Sequence, residues 1–314
     1  MKRSSANIKT AGINVNEQHA IAAGSFTELI NVLSEFTKFK ITALVSFTTG
    51  LGYILAASHL GYTLFWVIAG IFLLAAASSA LNHWQEKDTD ALMDRTKYRP
   101  IPSGRIEPQF ALYLSIFLLI SGSVILLGTT NFTTFLVGLV TFIWYNGIYT
   151  PLKRKTPFAI IPGALVGALP PVAGWTAAGG SLLDGRIIMI AAYFFIWQIP
   201  HFWLLLMLYG NDYEKGGFPT LNRVFCEAQL KRITFNWLVG NVITAMLIPL
   251  FLYINYSVSF ALLCVISAWM IWVSVRFLRS KAERKDVRVT FIAINFYTLL
   301  LITILSIDKL IKVF

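Results

Sequence analysis

Nine apolar stretches follow one another along the chain, at roughly 41–59, 62–82, 108–128, 132–150, 158–178, 187–209, 233–254, 257–278 and 289–307. A helix needs about 20 apolar residues to cross a hydrocarbon core about 30 Å thick, so each stretch is long enough for one crossing. A bilayer offers no water to satisfy main-chain polar groups, which leaves helices or closed barrels as the spanning forms, and runs of this length are helical. The expected fold is therefore all-α: a polytopic membrane protein with nine transmembrane helices. Composition agrees, because only 13% of residues are charged and 56% are hydrophobic, whereas a soluble surface needs about 25% charged residues.

An odd number of crossings puts the termini on opposite sides, and the basic residues say which is which. Of 26 Lys and Arg, all but Arg186, Lys309 and Lys312 fall on one side, in the N-terminal arm and in the connections after the second, fourth, sixth and eighth stretches. The positive-inside rule then predicts a cytoplasmic N-terminus and an external C-terminus. The net charge of +11 comes in short clusters between apolar runs, which fits membrane orientation and an anionic substrate and argues against a nucleic-acid partner. Cys226 and Cys264 have no disulfide or metal spacing.

Residues 1–25 have no apolar core, so a cleaved signal peptide is not expected, and they read as a mobile cytoplasmic arm. Residues 26–40 intersperse Phe26, Leu29, Ile30, Val32, Leu33 and Phe36 with Glu28, Glu35 and Lys38, a pattern for an amphipathic helix lying in the interface. Residues 41–314 form the nine-helix domain. Its connections at 83–107 and 210–232 exceed twenty residues, and loops that long are usually functional or disordered.

Two polar constellations sit in those connections. In the first, Asn82, Glu86, Asp90 and Asp94 recur every four residues, forming one slowly winding stripe on a helix, with Asp88 facing away. Arg95, Lys97, Arg99, Pro100 and Gly104 follow. Stacked oxygen ligands beside basic residues suit Mg²⁺, which is commonly held by one or two carboxylates and bridges to phosphate oxygens. The plainer alternative is a solvated helix end with ordinary ion pairs, against which stands the mutual repulsion of like charges at i and i+4. The second constellation has Trp197, Gln198, Pro200 and His201 inside the sixth stretch, then Asn211, Asp212, Tyr213, Lys215, Gly216 and Gly217. The recurrence of an acidic connection four stretches later hints at an internal repeat and a two-sided diphosphate and metal site. Between them, Lys153, Arg154 and Lys155 make a basic turn that serves either topology or diphosphate binding. His201 lies at membrane depth, where an ionisable group is a functional candidate unless it is a hydrogen-bonded packing residue.

The run Asn82, Glu86, Asp90, Met93, Arg95, Thr96, Arg99, Pro100 and Gly104 resembles the first Asp-rich motif of the UbiA-type intramembrane aromatic prenyltransferases. Residues 149–177 and 197–218 are similar, more specifically, to the haem-modifying branch, the protohaem IX farnesyltransferases or haem O synthases, and the likeness runs from about 40 to 300. The resemblance implies nine transmembrane helices around a central cavity and Mg²⁺-dependent transfer of a farnesyl group from farnesyl diphosphate to a vinyl group of protohaem IX, with water addition giving the hydroxyethylfarnesyl group of haem O. Carried over by position, it implies catalytic roles for Asp90, Glu86 and Asp212, with Asn82, Glu86, Asp90 and Asp212 as metal ligands. It further implies diphosphate contacts from Asn82, Arg95, Arg99, Lys153, Arg154 and Lys215, and acceptor contacts from His201, Trp197 and Gln198. The wider superfamily usually has Asp where Glu86 stands and another acidic residue where this chain reads Lys215, Gly216 and Gly217. Implied partners are the lipid bilayer, as a multi-pass protein of a bacterial cell membrane, and a haem A synthase or oxidase assembly factor. A quinone-pathway prenyltransferase of the same fold is one alternative. A secondary transporter is another, although transport predicts polar groups near mid-membrane rather than at one face.

Overall fold

The computed structural model describes residues 26–313, and the arm at 1–25 lies outside them. A short helix, α1 (Phe26–Phe36), precedes nine helices long and apolar enough to cross a membrane among the described residues. They are α2 (Phe39–Ala56), α3 (Tyr62–Leu92), α4 (Pro108–Thr129), α5 (Phe132–Leu152), α6 (Pro157–Ala177), α7 (Gly185–Lys215), α8 (Glu227–Phe251), α9 (Ser257–Arg279) and α10 (Arg284–Val313). The described structure is all helix and connection, as the apolar runs require.

Neighbours in sequence pack as neighbours in space, α3 on α2 and α4, α7 on α6 and α8, and α10 on α9. The bundle closes because α10 also touches α2 and α7. Its tightest seam joins α2 to α6. A Cβ placed on Gly52 would stand 1.8 Å from the Pro171 carbonyl oxygen, and one on Gly174 would stand 1.8 Å from that of Thr49. In lipid there is little hydrophobic drive between helices, so backbone approach at small residues supplies the attraction. Outer faces carry exposed Phe65, Phe117, Val124 and Val265, a lipid-compatible surface.

Two departures from the sequence reading bear on the site. Helix α1 stops at Phe36, and Lys38 turns the chain with a left-handed φ of 50° before α2 begins. The stretch 26–40 is thus not one helix. Second, α3 continues to Leu92 and α7 to Lys215, well beyond the apolar runs that end near 82 and 209. Much of both long connections is therefore helix, and the irregular segments shrink to 93–107 and 216–226. The polar end of α3 has its buried carboxylates paired with Arg99 of the following loop and Lys153 of the turn after α5, and that of α7 has Asp212 and Lys215 bonded to the loop after α3.

Candidate active site

The polar end of α3 forms the floor of the site. Asn82, Glu86 and Asp90 are all buried, at 1%, 3% and 0% exposure, where a carboxylate is costly unless paired. Each has a partner from another segment. Lys153, in the turn after α5, pairs with Glu86. Arg99 Nη1 donates to Asp90 Oδ2 at 2.7 Å. Lys38 Nζ donates to Asn82 Oδ1 at 3.0 Å, and Asn82 Nδ2 donates to Thr150 Oγ1 at 3.4 Å. Thr96 is buried, and its hydroxyl donates to the Asp90 carbonyl at 2.9 Å, fastening the loop that delivers Arg99.

The end of α5 reaches this floor through a π-helical turn, Trp144–Tyr149. Such turns widen a helix by one residue and leave main-chain carbonyls free. Here the Asn146 carbonyl accepts from Gln85 Nε2 at 3.0 Å, tying α5 to α3 at the level of Glu86.

Three cations, Lys38, Arg99 and Lys153, surround two carboxylates, so the site is short of negative charge. Lys38 registers that deficit. Burial, with Arg99 and Lys153 adding to it against Glu86 and Asp90, pushes its pKa down to about 7. Bringing an anion into the site relieves this penalty.

Asp90 Oδ1 is sealed in the core without a hydrogen-bond partner. A buried acceptor left open is expensive, about 1–3 kcal/mol, and Asp90 shares its helical stripe with Glu86 one turn back and Asn82 two turns back. No group of three or more His, Cys, Asp or Glu gathers as a metal cage among the described residues. Mg²⁺ does not need one, since it keeps waters and takes much of its shell from substrate phosphates. The donor set of Asn82, Glu86 and Asp90 fits it.

Around the floor lies an exposed rim. Asp94, expected in the stripe, leaves it, because α3 ends at Leu92 and Met93 caps it. Asp94 instead pairs with Lys215 and, at 2.9 Å, with Lys97, which hold its carboxyl down at about 2. Asp212 crosses from α7 to the same loop, where Oδ1 accepts from the Asp94 N–H at 2.7 Å and Oδ2 from the Arg95 N–H at 3.2 Å. The two acidic connections are therefore joined. Arg95 lies over the rings of Tyr209 and Tyr213, 5.6 and 5.9 Å from their centroids, rather than on the carboxylate floor. Arg154 donates to the Gln85 carbonyl.

The third group sits deeper. His201 precedes Asp212 by eleven residues on α7, about 16 Å along the axis. Its ring is flanked by Trp197 at 4.7 Å, Phe291 at 4.9 Å and Phe202 at 5.5 Å between centroids. The Trp197 indole N–H and Gln198 Oε1 are buried without partners. Gly167 on α6 makes room for Gln198, since a Cβ there would fall 1.7 Å from Oε1.

The structure thus brings together Asn82, Glu86, Asp90, Arg99 and Lys153, places Asp212, Lys215, Arg95 and Arg154 on the rim, and sets Trp197, Gln198 and His201 apart. Sequence reasoning missed Lys38, Thr150 and Asn295, whose Oδ1 accepts from His201 Nδ1. A lysine directly before an apolar run was the available signal for Lys38, and it was absorbed into the topology count.

Residues 44–299 match the model of the UbiA prenyltransferase family. Among curated proteins the chain is similar to the protoheme IX farnesyltransferase of Geobacter sulfurreducens, 44% identical over 54% of this chain and 62% of that relative. It is 31% identical to that of Oleidesulfovibrio alaskensis over 90% of this chain and 98% of the relative. For that of Christiangramia forsetii the figures are 33%, 90% and 95%. Among solved structures it resembles a digeranylgeranylglyceryl phosphate synthase with a TM-score of 0.73 at 15% identity, covering 90% of this chain and 99% of that one. It also resembles a UbiA homolog from Archaeoglobus fulgidus bound to GPP and Mg²⁺, with a TM-score of 0.63 at 16% identity, covering 88% and 99%. At those identities the two structures bear on the fold alone.

Proposed function

The chain belongs to the UbiA prenyltransferase family, and from that premise we propose that it transfers a farnesyl group from farnesyl diphosphate to a vinyl group of protohaem IX, forming haem O. The observation that carries this reading is the buried oxygen stack of Asn82, Glu86 and Asp90, ringed by Lys38, Arg99 and Lys153 and short of negative charge. The choice of donor and acceptor follows the farnesyltransferase relatives that match along nearly their whole length.

In this reading Lys38, Arg99 and Lys153 bind the diphosphate, with Arg95, Arg154 and Lys215 at its entry. Asn82, Glu86 and Asp90, with Asp212 from the rim, would hold Mg²⁺, which supplies charge neutralisation of the diphosphate when bound. The fixed cations stabilise the charge that grows on the leaving diphosphate as the bond from C1 of the farnesyl group to oxygen breaks. Apolar helix faces shelter C1 from premature attack by water. The vinyl electrons form the new carbon–carbon bond, and water then adds its oxygen to the porphyrin-side cation and releases a proton. Trp197, Gln198 and His201, with their unpartnered indole N–H and amide oxygen, receive the acceptor. The face carrying 83–107 and 210–226 is assigned to the cytoplasm of a bacterial cell, where the diphosphate substrate resides.

The test is mass spectrometry of haem extracted after the purified protein is incubated with reduced protohaem, farnesyl diphosphate and Mg²⁺, beside a metal-free control. Metal-dependent appearance of hydroxyethylfarnesyl haem is expected. Unmodified haem from folded protein would overturn the acceptor and move aromatic quinone precursors to the front.

A further inference from the structure

His201 and Asn295 form a directional pair between α7 and α10. Asn295 Nδ2 donates to the Phe291 carbonyl one turn back at 2.5 Å. That bond decides which way the amide faces, because the flipped amide would set its oxygen against a carbonyl oxygen. Asn295 Oδ1 then points at His201 Nδ1, 2.9 Å away. An amide oxygen only accepts, so Nδ1 carries the proton. In the neutral ring the lone pair is then on Nε2, which makes no hydrogen bond among the described residues and is not one of the sealed polar atoms of the core.

A simple brace between helices would not require this direction. The bundle holds two such braces nearby, Tyr193 with Thr298 at 2.8 Å and Ser267 with Tyr297 at 3.0 Å, and in each either hydroxyl can donate. The His201 pair is different. The Asn295 rotamer is fixed by its own helix, the imidazole is held between Trp197 and Phe291, and the opposite nitrogen is left open. Histidines that ligate metals characteristically donate their second ring N–H to a carbonyl or carboxylate acceptor, which fixes tautomer and ring orientation.

We propose that Asn295 is a positioning residue that holds His201 as the Nδ1–H tautomer, so that Nε2 offers its lone pair to the iron of the porphyrin acceptor. This rests on the haem-acceptor reading above and adds to it a named atom and the residue that orients it.

The experiment uses the full chain in lipid nanodiscs with protohaem. It compares wild type with His201→Ala, Asn295→Leu and Asn295→Asp, reading protohaem affinity, the iron–histidine stretch of the ferrous complex by resonance Raman, thermal stability and turnover. Wild type is expected to show the stretch and His201→Ala to lose it. Asn295→Leu should weaken protohaem binding about 10- to 100-fold and shift the stretch. Asn295→Asp keeps an acceptor at the same place, so it should retain the ligand and raise the stretching frequency as the imidazole becomes more basic. The aspartate variant keeps the test informative if the leucine variant does not fold. A stretch identical in Asn295→Leu, Asn295→Asp and wild type overturns the positioning role. Turnover in wild type with haem spectra unaffected by His201→Ala overturns ligation while leaving farnesyl transfer intact. A folded wild type that neither binds nor modifies protohaem overturns both readings together.

Discussion

Lys38 Nζ donates to Asn82 Oδ1 at 3.0 Å across a sequence separation of 44 residues. The contact exists because the chain turns with positive φ at Lys38, between α1 and α2, and so directs this side chain inward. It adds a third cation to the site and is the one supplied from outside the two acidic connections and the basic turn. For Lys38→Met we expect a protein that inserts and folds but binds farnesyl diphosphate 10- to 100-fold more weakly, since a hydrogen bond involving a charged group contributes about 1.5–3 kcal/mol. Direct titration with a non-hydrolysable farnesyl diphosphate analogue checks this, and wild-type affinity in the variant would remove Lys38 from the diphosphate site.

Asp90 is the most deeply buried carboxylate of the stack, with Arg99 on one oxygen and nothing on the other. Asp90→Asn preserves shape while removing the charge, and leaves Arg99 facing a neutral amide. Turnover should fall by about 10²–10³, the range for loss of one preorganised electrostatic group. Haem affinity should hold, because His201 lies far along α7. Initial rates over a Mg²⁺ series, with haem binding measured in parallel, separate the two; near-normal turnover would dissociate Asp90 from the chemistry.

The spans and the stripe of Asn82, Glu86 and Asp90 were legible because they rest on local periodicity, which apolar length and helical spacing express directly. Asp94 was misplaced for a local reason too, as a spacing of four extends a stripe on paper past the point where Met93 ends the helix. Lys38, Thr150 and Asn295 were not legible. Each matters through a partner far away in sequence, 44, 68 and 94 residues respectively, and no local pattern encodes that distance. The lengths of α3 and α7 were underestimated for the same reason. The polar end of α3 is paired with Lys153 and Arg99, and that of α7 with the main chain of Asp94 and Arg95, contacts that other segments bring.

The seam between α2 and α6 gives a prediction independent of chemistry. Gly52 and Gly174 each face main-chain atoms of the opposite helix at 1.8 Å from a built Cβ, and a backbone cannot rotate away as a flexible side chain can. Gly52→Ala and Gly174→Ala should each destabilise by at least about 1–3 kcal/mol, the usual cost of overpacking. By contrast, Gly128→Ala meets nothing within 4 Å and should be neutral or nearly so. Thermal unfolding in detergent, followed by size-exclusion fluorescence, ranks the three; equal stability of all three would mean that the α2–α6 approach is looser than described.

Asp212 offers the sharpest division between architecture and catalysis. Its two oxygens receive the main-chain N–H groups of Asp94 and Arg95, so the carboxylate orders the loop that carries Arg99, whatever else it does. Asp212→Asn keeps one of the two oxygen acceptors, on the shorter bond to the Asp94 N–H, but loses the other and the charge, whereas Asp212→Ala loses all of them. If Asp212 also serves the metal, Asp212→Asn should raise the Mg²⁺ concentration needed for half-maximal rate by 10-fold or more, on the order of a single lost charge-assisted contact. Amide exchange at Asp94 should stay slower in that variant than in Asp212→Ala, where exchange across 93–107 should quicken. An unchanged Mg²⁺ requirement in Asp212→Asn, with fast exchange in Asp212→Ala, would confine Asp212 to holding the loop and leave the metal to Asn82, Glu86 and Asp90.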